Sequence, residues 1–139
     1  MAIETTVGGI AFLIGRVLFG AVLGFMGFNH FTQLDGMSGY AEAKGVPFPR
    51  LGVVASGMLL VFGGVAIVLG VYPLLGAAAI ALFLLVSTPM MHDFWAFDDP
   101  EQQQAEMSNF LKNSALFGAA LLIIAIGGTA WPYALNIGL

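Results

Sequence analysis

The chain has 139 residues, the size of one domain. With 59% apolar residues, 9% charged residues and a mean hydropathy of +0.94, it has too little polar surface to cover a water-soluble fold. A net charge of −4 with four basic residues excludes nucleic acid as a partner, and the lack of cysteine excludes disulfides, thiol redox chemistry and thiolate metal sites.

The first predicted element is an apolar run from about Val7 to Phe28, near the ~20 residues needed to cross a bilayer. It has no basic flank before it and no small-residue cleavage site after it, so it reads as a retained helix rather than a signal peptide. Gly20 and Gly24 form a small-xxx-small pair on it, with Gly27 nearby, a pattern that lets helices approach closely in lipid. Arg16 shares the face of Gly20 and Gly24 and is the only charge well inside a span. It lies roughly 13 Å from the terminal side of the helix. An intramembrane charge needs a partner, which leaves two roles open: an anchor bonded to carbonyls, a lipid headgroup or Glu4, and a site for a ligand.

The loop 29–51 begins at "GFNHF", which places His30 at the exit of the first span. Asp35 is expected to cap a short helix from Gly36 to Lys44, with Gly45 as its stop and Pro47 beyond. Met37, Tyr40 and Ala41 share a face at helical spacing, as expected of a helix lying on the membrane surface. The second span covers about Gly52 to Val71, with Gly57 and Gly64 on one face. Tyr72-Pro73 breaks the chain, and the third span covers about Leu74 to Met91.

The third span ends in "MMHDFWAFDDPE". A histidine oriented by a carboxylate suits proton transfer near neutral pH, so His92, Asp93 and Arg16 are the candidate catalytic residues. Arg16, His30, Phe94 and Trp95 are the candidate cofactor-binding residues. His30 and His92 are expected at the same interface and converge if their helices are neighbours. The aromatic residues Phe28, Phe31, Phe94, Trp95 and Phe97 would either line a pocket for a flat amphiphile such as a quinone or form an interfacial belt. A metal site from His30, His92 and Asp93 is disfavoured, because adjacent side chains on a helix diverge; bis-His haem ligation has no more support. Asp99, with Pro100 at the first helical position, is expected to cap a helix that runs into the fourth span, about Asn109 to Thr129. Ser114 and Gly118 give that span a small-residue face.

Four spans predict an all-α integral membrane four-helix bundle occupying the whole chain, with interfacial helices in the two long loops. Both termini fall on one side. Lys44, Arg50 and Lys112 lie on the loop side, so the positive-inside rule makes the loops cytoplasmic and the termini external.

The ordered set "LIGRVLFGAVLGFMGFNHF", "YAEAKGVPFP", "LLVFGGVAIVLG" and "HDFW" followed by "LKNSALFGAALLI" resembles the DoxX family of small four-helix membrane proteins over nearly the whole chain. A lysine is common in that family where His30 stands. The resemblance implies quinone-dependent redox chemistry, as in the membrane subunit of a thiosulfate:quinone oxidoreductase or in complexes of quinone resistance and oxidative stress. It transfers no catalytic residues. No electron-transfer motif is recognisable in the chain. The expectation is a redox accessory subunit that binds quinone near the loop-side interface, catalytic only with a soluble protein partner docked on the loops; a protein partner or a homo-oligomer is the expected assembly. The rival expectation is a structural subunit or membrane anchor.

Overall fold

The computed structural model describes residues 2–139. Among them are five helices: α1 (Thr6–Thr32), α2 (Leu34–Ala43), α3 (Pro49–Leu69), α4 (Pro73–Met91) and α5 (Pro100–Ile126). Four are long and apolar enough to cross a membrane. The chain is a multi-pass, all-α membrane protein, as its composition requires.

The helix ends follow local chemistry. Thr5 caps α1 by accepting from the Gly8 N–H at 2.9 Å. Asp99 caps α5 by accepting from Gln102, with Pro100 at the first helical position as expected, and α5 runs from the loop into the membrane without a break. Asp35, by contrast, is not a cap. Only Gln33 separates α1 from α2, so Asp35 already lies in the first turn of α2, where Arg50 Nη1 donates to it at 2.6 Å on the surface. Gly70 ends α3 in the left-handed region, at φ +68°.

Helix α1 packs on α3, α3 on α4, and α4 on α5. The core runs through all four, from Leu23 through Leu60, Ile67, Ile80 and Leu84 to Ala120 and Ile123. The α1–α3 seam is made by backbone. A Cβ on Gly64 would press into Gly20 and Gly24, and one on Gly27 would meet Leu60 and Val61. Helix α2 packs across α3 through Ser38 and Ala41, while Tyr40 points elsewhere and is about half exposed.

The segment after α5 forms a strap that the sequence did not reveal. Trp131 is buried, with its ring edge-on to Phe12 at 5.0 Å and its Nε1–H donating to Ile126 O at 3.0 Å. Asn136 Oδ1 accepts from the Trp131 N–H at 2.7 Å, and Val71 and Ile137 pair as a parallel bridge. The strap thus returns to the end of α3.

Candidate functional site

Arg16 lies at the terminal end of the bundle and is 2% exposed. Its Nη1 donates to Ile67 O at 3.3 Å and to Val68 O at 2.7 Å. Its Nη2 donates to Pro132 O at 3.3 Å and to Tyr133 O at 2.5 Å. The guanidinium also sits about 6 Å from the rings of Phe12 and Trp131. Of the two sequence-level roles, this geometry matches the anchor. Four of its five N–H groups bind carbonyls at the negative end of α3 and in the strap, and only the buried Nε lacks a partner.

His30 and His92 do not converge. A Cβ on Gly57 would meet His30 Cβ at 2.8 Å, and the His30 ring lies 6.0 Å from that of Phe83. Gly57 is eight residues into α3 and Phe83 eight before the end of α4, roughly 12 Å from the loop end on either helix. His30 is therefore about two turns inside the loop ends of α3 and α4, although α1 itself ends two residues after it. The His30 Nδ1–H donates to Met26 O at 2.8 Å. His92 lies at the loop end, nine residues beyond Phe83.

The loop end carries an ion pair and, beside it, a histidine–carboxylate hydrogen bond. Lys44 Nζ donates to Asp93 Oδ1 at 2.5 Å, with the two side chains 14% and 26% exposed. His92 Nδ1 donates to Glu106 Oε2 at 2.7 Å. Asp93 thus holds Lys44 rather than orienting His92. Neighbours in sequence leave the helix end in different directions, and each finds a partner on another element. Desolvation alone would lower the Lys44 ammonium. Its hydrogen bond to Asp93, with the charges of Tyr40, Asp93 and Glu106, overcomes this and holds it above the usual lysine value.

Lys44 and Glu106 face a common pocket of about 480 Å³, also lined by Tyr40, Phe97, Gln102 and Ala105. Lys44 Nζ stands 4.7 Å from the centre of the Phe97 ring and 5.9 Å from that of Tyr40. Phe94 and Trp95 lie apart from the pocket lining and form an edge-to-face cluster with Phe110 at 5.2–5.9 Å; Trp95 is 58% exposed. Lys44 and Glu106 were not singled out from sequence. The available signal was Tyr40 and Lys44 at i,i+4 on a short helix; nothing local links Glu106 to His92.

The family model for DoxX matches residues 11–93. No curated protein and no solved structure matches the chain.

Proposed function

Because this chain belongs to the DoxX family, whose model covers more than half of it, we propose that it is the membrane subunit of a quinone-linked redox complex and holds the quinone head in the Lys44–Phe97–Glu106 pocket. One observation carries this reading: Lys44, paired with Asp93, and Glu106, hydrogen-bonded to His92, both line a single aromatic-edged pocket at the loop end. Its volume lies in the range of small-molecule sites. Phe97 and Tyr40 offer flat faces to a ring, and Lys44 has two N–H donors left for a ring oxygen after bonding Asp93.

Reduction of a quinone takes two electrons and two protons. With no cysteine and no electron-transfer motif in the sequence, the electrons are assigned to a partner protein docked on the loop end, which the positive-inside rule places in the cytoplasm. This chain's residues bind and handle protons. Lys44 polarises the ring oxygen, Glu106 passes the two protons to the ring oxygens in turn, and His92 behind it reprotonates Glu106 from water after each. Arg16 takes no part and anchors the opposite end. The rival reading, a structural subunit, is favoured by one feature: Ser114 is exposed and Gly118 has open space beside it on α5, a face suited to a partner helix.

The test is titration of a short-chain quinone into protein in lipid nanodiscs, followed by tryptophan fluorescence. Lys44→Met and Glu106→Gln are each expected to weaken binding about 10-fold or more, the size of one charge-assisted hydrogen bond. Unchanged affinity in Lys44→Met would rule out this pocket, and no binding by the unaltered chain would favour the structural role.

A further inference from the structure

The last carbonyls of a helix have no partner within it and are ordinarily met by water. At the end of α3, every carbonyl from Ala66 to Gly70 is met by a protein donor instead. Ala66 O accepts from the N–H groups of Gly70 and Val71. Ile67 O and Val68 O accept from Arg16. Leu69 O accepts from the Leu135 N–H at 2.9 Å, and Gly70 O from the Ile137 N–H at 3.3 Å. The Tyr72 N–H in turn donates to Ile137 O at 2.6 Å. Such closure is what a chain turn needs where water is scarce, because an unmet carbonyl is costly in hydrocarbon.

The length of α4 fixes the level of this turn. Its 19 residues, Pro73–Met91, rise about 28 Å, and the hydrocarbon core is about 30 Å thick. The other end of α4 leads into His92, Asp93 and their charged partners, which belong outside the core. With that end at one boundary, Tyr72 cannot stand clear of the opposite one, and tilting the helix only brings it deeper.

The strap that closes the turn suits the same level. No charged side chain occurs from Leu51 to Met91 or from Asn113 to Leu139. Exposure alternates along the strap. Trp131 is buried and Ala134 and Asn136 are half-buried, while Tyr133, Leu135 and Ile137 are exposed. The Asn136 amide is turned inward, with Nδ2 donating to Trp131 O at 3.0 Å. An amide inside and aliphatic side chains outside reverse the order expected of a loop in water. Tyr72 and Tyr133, both exposed, have the apolar ring and polar tip that suit a membrane boundary.

We propose that the outer row of the strap is a lipid-binding surface. Leu135 and Ile137 lie against the upper acyl groups of phospholipid in the terminal-side leaflet, with Tyr72 and Tyr133 at the headgroup boundary. The surface is at the opposite end of the bundle from the Lys44–Phe97–Glu106 pocket and does not depend on what that pocket binds.

The chain has no cysteine, so a single introduced cysteine carrying a spin label reports its surroundings directly. Leu135→Cys, Ile137→Cys and, as a third outward position, Tyr133→Cys are labelled in phosphatidylcholine nanodiscs. Leu122→Cys, exposed on the apolar part of α5, is the lipid reference, and Gln103→Cys, exposed at the loop end, is the aqueous one. Oxygen concentrates in lipid, whereas a nickel chelate stays in water. Oxygen is expected to relax the labels at 135 and 137 several-fold more than the chelate does, as at 122. A chelate effect equal to or above that of oxygen, as at 103, places the strap in water. Weak relaxation by both places it under protein, a second copy or another subunit. Either of these results overturns the proposal.

Discussion

Arg16 shows how one embedded charge is made tolerable by backbone carbonyls. A guanidinium presents donors in a planar fork, and here the two outer nitrogens reach four carbonyls from two separate segments. Arg16→Ala would leave those carbonyls without their donor and is expected to cost about 1–3 kcal/mol for each that finds no other. Because two of them belong to the strap, the expected sign is specific. Thermal unfolding in detergent should shift downward, and protease should cleave near Trp131 before it cleaves any helix. A strap that stays protected in the variant would show that Trp131 and Asn136 hold it unaided. From the sequence, Arg16 was visible as a residue in need of a partner. Its partners were not, because backbone carbonyls carry no residue-type signal and Pro132 and Tyr133 lie more than a hundred positions away.

At the scale of elements, glycine spacing decides which helices touch. Gly20, Gly24 and Gly27 meet Gly57, Leu60 and Gly64, so α1 and α3 pack backbone to backbone. Gly64→Val should force the pair apart and cost about 1–3 kcal/mol as overpacking. Gly118→Ala is the matching control. Nothing lies within 4 Å of its added Cβ, so it should stabilise α5 by about 0.5–1 kcal/mol through helix propensity. Chemical or thermal unfolding of both variants in the same detergent checks the contrast. If both changes have the same sign, the close approach of α1 and α3 is not what holds the bundle. The small-xxx-small pairs were legible in the sequence. Which of them meets another helix of the same chain was not, since the Ser114–Gly118 face looks the same on paper and stays open.

At the scale of the whole molecule, the loop end is closed by contacts between elements far apart in the chain. Lys44 on the end of α2 ties to Asp93 beyond α4, and His92 ties to Glu106 on α5. The Lys44 tie has a defined pH signature. Its ammonium is held above the usual lysine value of 10.5, so its contribution is complete below that value and fades as pH rises through the folded-state value. Lys44→Met should therefore lower the melting temperature by about 2–4 °C at neutral pH, with the gap to the unaltered protein constant up to about pH 10 and closing above it. A gap that persists at high pH would mean that Lys44 contributes through packing of its alkyl stem.

The sequence by itself determined the class and the count of spans. Apolar runs of bilayer length leave a chain no option in lipid but helices, and caps such as Asp99-Pro100 and the stop at Gly45 mark ends by local chemistry alone. Only the tertiary structure decided which polar groups meet. His92 and Asp93 are adjacent in sequence, yet they diverge to Glu106 and Lys44, and His30 packs between Gly57 of α3 and Phe83 of α4. Local signals report the backbone path, whereas an ion pair depends on side-chain direction and on the level at which two helices pass, and both are set by the packing of the whole bundle.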